Sequence, residues 1–126
     1  MITTGKTATA GRTVTEALTA KAVGSGSLNV FATPMMIALM EEAACACLAD
    51  SLEATQTSVG TLINVAHTAA SPIGAMITAT ATVDEVDGRK VSFTVTAHDG
   101  VNEIGSGKHE RFIVDAERFM SKLEQY

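Results

Sequence analysis

The chain has 126 residues and a net charge of −5, with 46% hydrophobic residues but no tryptophan, four phenylalanines and one tyrosine. One domain of this length can bury a real core, here built from Ala, Val, Ile, Leu and Met. The acidic balance argues against a nucleic-acid partner, and no apolar run approaches the ~20 residues of a membrane helix. The opening "MITTGKTATAGR" lacks the apolar block of a secretory signal, so the expectation is a cytoplasmic protein.

Residues 1–10 read as a loosely ordered segment. Next, "RTVTEALTAKAV" (12–23) alternates well enough to predict a strand, and "GSGS" (24–27) is a flexible connector. Thr33-Pro34 reads as a helix start, Thr33 at the N-cap and Pro34 at the first helical position, with the helix running to about residue 50. Residues 57–69 are β-branched and strand-like, ended by Ser71-Pro72-Ile73-Gly74. "AMITATATVDEV" and "RKVSFTVTAH" alternate strictly around Asp87-Gly88, a two-residue hairpin signal. Asp99-Gly100 marks a second hairpin leading into "NEIGSGKHERFIV", and "AERFMSKLEQ" closes the chain as a short amphipathic helix. This β-α-β-β-β-β order, plus a small helix, predicts a single α+β domain over 1–126. The architecture is a hot-dog fold, a five-stranded antiparallel sheet wrapped around one long central helix. Exposed sheet edges and modest size favour a homodimer, with a tetramer left open.

The apolar stretch "ATPMMIALMEEAACACLAD" (32–50) carries two adjacent carboxylates. At about 100° per residue, Glu42 shares a solvent stripe with Asp50 and Glu53, whereas Glu41 falls in the sector of Ile37, Ala44, Cys45, Leu48 and Leu52. A carboxylate there is satisfied by a buried partner, reaches water from the edge of the stripe, or is displaced from its usual behaviour for acid–base or nucleophilic work. His67 closes a nearly uncharged strand and is a core histidine or a catalyst. His98 sits at a hairpin, and His109, among charged neighbours, reads as solvated or as a dimer contact. Cys45 and Cys47 read as small buried hydrophobes without function.

Taken together, "VFATPMMIALMEEA", "SVGTLINVAHTAASP" and "TVTAHDGVNEIGSGKHERFIV" resemble the fluoroacetyl-CoA thioesterase-like family of hot-dog acyl-CoA thioesterases, from residue 11 onward. The resemblance implies hydrolysis of an acyl-CoA thioester to a free acid and CoA. It implies no metal or redox cofactor, CoA being part of the substrate. It also implies a catalytic set of Thr33, Glu41 and His67, with Gly60 near the acyl group. One departure stands out: family members specific for fluoroacetyl groups carry a longer segment with phenylalanines that form a lid. "KAVGSGSLN" (21–29) is short and has no aromatic residue, so the expectation is a small acyl group without fluoroacetyl selectivity.

In this reading Glu41 attacks the carbonyl or activates water, His67 orients or protonates, and Thr33 is a nucleophile, a water-holding hydroxyl or only a cap. The first turn of the helix would polarise the carbonyl oxygen. Pro34 and Met35 would line the substrate, and Lys108 and Arg111, with Arg89 and Lys90, are the cations available to CoA. Eight helical residues separate Thr33 from Glu41 by ~12 Å, which favours a site completed across a dimer. The alternatives are a non-catalytic module binding acyl-CoA or another small ligand, a hydratase, for which the usual Asp-His pair is missing, and a purely structural dimerisation domain.

Overall fold

The strict alternation of "MITATATV" and "KVSFTVTA" has one outcome in a sheet with a single covered face. Ile77, Ala79, Ala81 and Val83 turn inward beside Val91, Phe93, Val95 and Ala97, all essentially inaccessible. The computed structural model describes all residues, 1–126. Its strands are β1 (Thr7–Thr13), β2 (Gln56–His67), β3 (Met76–Asp87), β4 (Lys90–His98) and β5 (Glu103–Asp115). They form one antiparallel sheet in the order β1-β3-β4-β5-β2. The helices are α1 (Ala20–Val23), α2 (Thr33–Leu48) and α3 (Ala116–Leu123). The architecture is the expected hot-dog fold, with α2 held in the concave face of the sheet.

The inward alanines leave depth for the helix. α2 fills it with Met36, Leu39, Met40, Ala43, Ala44, Cys47 and Leu48, all buried. Two glycines of β5 meet close neighbours: a Cβ on Gly105 would lie 2.6 Å from Met36 Sδ of α2, and one on Gly107 would lie 2.1 Å from the Asn64 carbonyl of the adjoining β2. The β3–β4 turn uses Gly88 at φ 62°, the left-handed conformation that glycine adopts without steric cost.

Several sequence expectations shift. The first strand lies at Thr7–Thr13 rather than 12–23, so residues 7–10 are not loose: they pair with Thr82–Ala79 of β3. Its Thr/Ala alternation is too weakly hydrophobic to mark it, while the equally mild pattern at 12–23 becomes a 3-10 turn (Glu16–Leu18) and then α1. Thr19 ends that pattern by accepting the Ala22 amide as helix cap. The N-cap of α2 is Ala32, and Thr33 is the first helical residue. Cys47 is buried as expected, but Cys45 is exposed. No helix is long and apolar enough to cross a membrane.

The helix–sheet contact accounts for most of the core, and Met40 is wholly buried in it. Met40→Ala should lower unfolding free energy by about 2–5 kcal/mol, measured by urea titration, through lost burial and a residual cavity.

Candidate active site

Two groups of polar side chains lie along α2, one at its start and one near its middle. At its start, the Thr33 hydroxyl lies 2.8 Å from His67 Nδ1, at the end of β2. With no capping bond to make, that hydroxyl is free to face the imidazole. The His67 ring packs edge-on against buried Phe31, centroids 6.4 Å apart. Its Nε2 is buried without a hydrogen-bond partner. Burial holds the His67 pKa below the ordinary histidine value, a backbone bond at Ala69 pulling weakly the other way. Thr33 and His67 face a cleft of ≈ 390 Å³ whose far wall is the Ser25–Leu28 segment. "GSGS" is therefore the roof of this cleft, a polar one.

The second group gathers around Glu41, two helical turns further on. Its Oε2 accepts a hydrogen bond from Arg111 Nη1 at 3.0 Å and lies 3.9 Å from His109 Nε2. The carboxylate is 39% exposed, while the Arg111 and His109 side chains are only 8% and 1% exposed. Gly60 lies beside it: a Cβ there would approach Oε2 to 2.6 Å. A cleft of ≈ 220 Å³ opens at this point, lined by Glu41, Gly60 to Ile63 and His109. Glu42 points elsewhere and pairs with Arg12 on the surface.

Two of the expected cations are not at a rim. Arg111 is turned inward, and Lys108 lies on the outer face of the sheet, bonded to Asp84 and Thr94. The strand alternation that buries Ile113 also buries Arg111 and His109, so His109 is a core residue rather than a solvated one. Counting back by twos from Ile113 would have located both in the sequence. Pro34 is exposed in the first turn of α2, and Met35 packs against the core. The first turn offers little to an oxyanion: Pro34 has no N–H, and the Met35 and Met36 amides both bond the Ala32 carbonyl. Only the Thr33 N–H remains uncommitted there.

Burial also depresses the His109 pKa, seconded by the Arg111 charge and opposed by the Leu62 carbonyl, Glu41 and Glu110. Both depressed histidines bind protons less readily when folded than when unfolded. Their contribution to stability is present above the unfolded histidine pKa of about 6.5 and is lost as pH falls below it. The urea midpoint should therefore drop between pH 7.5 and 5.5, and the drop should shrink in a His67→Gln/His109→Gln double variant. An unchanged midpoint across that window would contradict it.

Residues 14–117 match the family described as FlK, fluoroacetyl-CoA-specific thioesterase. A fluoroacetyl-CoA thioesterase of Streptantibioticus cattleyicolor is 50% identical over 97 residues, 77% of this chain and 70% of that one. A solved structure of the fluoroacetyl-CoA thioesterase FlK superposes with a TM-score of 0.93 at 40% identity, covering 99% of this chain and 97% of that one. A Thermus thermophilus hypothetical protein of the thioesterase superfamily superposes at 0.90 and 25% identity, covering 99% and 95%. With this sequence and this sheet-wrapped helix, the chain belongs to the FlK family of hot-dog thioesterases.

Proposed function

We propose that this protein hydrolyses acyl-CoA thioesters of small acyl groups, in sites that each draw on two copies of the chain. The observation that carries this reading is the division of polar groups along α2. Thr33–His67 and Glu41–Gly60 each open into a cleft of their own, about 12 Å apart along a continuous helix. The Thr33–His67 group holds no carboxylate, and the Glu41 group holds no uncommitted imidazole, since His109 is engaged by the Leu62 carbonyl and Arg111. β2 supplies a means of joining them: it is a 12-residue edge strand, paired only with β5, and Leu62 and Ile63 are exposed beside Glu41. In the proposed arrangement two copies pair through this edge, the Thr33–His67 cleft of one facing the Glu41 cleft of the other.

In such a site Glu41, aimed by Arg111, attacks the thioester carbonyl or deprotonates the water that does. The C–S bond breaks, and the sulfur leaves as a thiol after gaining a proton. By the first route the acyl–Glu41 anhydride is then hydrolysed; by the second the acid forms directly. His67, neutral and bonded to Thr33, is placed to relay that proton. The chemistry calls for no cofactor.

The FlK thioesterase has been solved with acetyl-CoA in one variant, and with fluoroacetate and CoA in another. That supports acyl-CoA as the substrate class. The missing aromatic residues at 21–29 do not suffice to set fluoroacetyl-CoA aside, because the matching family and the 50% identical relative are both described by that substrate. Fluoroacetyl-CoA therefore stands first in a survey of acyl groups, followed by acetyl-CoA and longer chains.

Three outcomes are expected from thiol-release assays. Glu41→Gln should lower turnover of small acyl-CoA at least about 100-fold, and equal rates in wild type and variant would refute the enzymatic reading. Gly60→Ala should displace the carboxylate and lower kcat at least about tenfold while the fold survives, since the obstructed atom is a side-chain end. Mixing Thr33→Ala chains with Glu41→Gln chains should recover part of the activity that each lacks, and no recovery after subunit exchange would rule out the shared site.

A further inference from the structure

Resting on the reading of Glu41 above, we propose that His109 is a positioning residue, which fixes the Arg111 guanidinium that holds the Glu41 carboxylate. The hydrogen bonds around the imidazole admit one protonation form. Nδ1 lies 2.7 Å from the Leu62 carbonyl, which can only accept, so Nδ1 carries the proton. Nε2 lies 3.2 Å from Arg111 Nη1, which can only donate, so Nε2 presents its lone pair. His109 is thus the neutral Nδ1–H tautomer. Its ring is clamped against Phe93 of β4, centroids 5.9 Å apart and planes 26° apart.

This tautomer settles where the guanidinium goes. The two Nη1 hydrogens are divided, one to His109 Nε2 and one to Glu41 Oε2 at 3.0 Å. Arg111 Nε donates to the Ser58 hydroxyl at 2.8 Å and Nη2 to the Ser58 carbonyl at 3.1 Å. Remove the imidazole acceptor and one Nη1 hydrogen is left unpaired in a buried setting, so the guanidinium swings toward another acceptor and takes the carboxylate with it. Protonate Nε2 and two donors face each other. The charged groups facing the ring are Arg111 from β5 and Glu41 from α2, with the Glu110 charge acting from the other face of β5, and burial with Arg111 favours the neutral form. His109 does not reach the reacting carbon in this scheme; it acts through Arg111.

The test combines spectroscopy with two replacements. Side-chain ¹⁵N NMR of the intact protein at pH 7, with His109 assigned by its loss in His109→Gln, should show a protonated Nδ1 and a bare Nε2. An imidazolium or an Nε2–H tautomer would overturn the inference. His109→Phe keeps ring volume and the Phe93 stack but deletes the acceptor; kcat should fall about tenfold or more while KM moves less than about threefold. His109→Gln returns an oxygen acceptor near Nε2 and should restore kcat to within a few-fold of wild type. Wild-type kcat in His109→Phe, or equal impairment in both variants, would refute the positioning role. If His109→Phe does not fold, the NMR tautomer decides the question. Glu41→Gln, measured alongside, separates the two ideas. Full turnover there removes the assignment of Glu41 itself, whereas no turnover there together with a wild-type His109→Phe removes only the role of His109.

Discussion

A buried guanidinium is expensive to remove from water, by several kcal/mol even after relaxation, and Arg111 is tolerated because its neighbours take four of its five N–H donors. Those neighbours come from three elements: Glu41 from α2, Ser58 from β2 and His109 from its own strand, β5. The same bonds that offset desolvation therefore fix the helix against the β2–β5 edge. They also determine the residue opposite. With the carboxylate drawn toward Arg111, no side chain fits at position 60, and glycine is required by volume rather than by backbone conformation. Arg111, which the sequence reading placed on a CoA-facing rim, is the keystone of the Glu41 pocket.

The straightness of α2 imposes the second constraint. An unbroken helix from Thr33 to Leu48 cannot fold back to bring its first residue to its ninth. Each copy consequently carries a hydroxyl–imidazole pair at the start of α2 and a carboxylate–guanidinium pair near its middle. The open edge of β2, which would be an aggregation hazard in an isolated chain, lies beside the carboxylate half, and the proposed pairing of two copies would cover it.

Elements with strong local chemistry were legible from the sequence. The β3–β4 hairpin announced itself through strict alternation and Asp87-Gly88, and α2 through its apolar density and Thr-Pro start. The separation of Glu41 from Glu42 by helical geometry also held, one joining Arg111 inside and the other Arg12 outside. β1 was missed because Thr and Ala alternate with little contrast in hydrophobicity, and its register depends on pairing with β3, information held elsewhere in the chain. His109 was misread because "GKHERF" is rich in charge. The period-two rule would have placed it inward, but charged neighbours on the outer face hid the pattern. Composition misleads wherever a polar group is buried for a reason.

The start of α2 has a consequence for how this protein can change. Alanine at the cap provides no side-chain acceptor, while the threonine one residue later faces His67 instead of the helix amides. Ala32 is also wholly buried, so a serine or aspartate there would set a cap worth about 1 kcal/mol against the cost of burying a polar or charged side chain. It would also add a competing acceptor immediately beside the Thr33 hydroxyl. The usual route to a firmer helix start is thus closed at this turn, and the apolar cap and the uncommitted hydroxyl persist together.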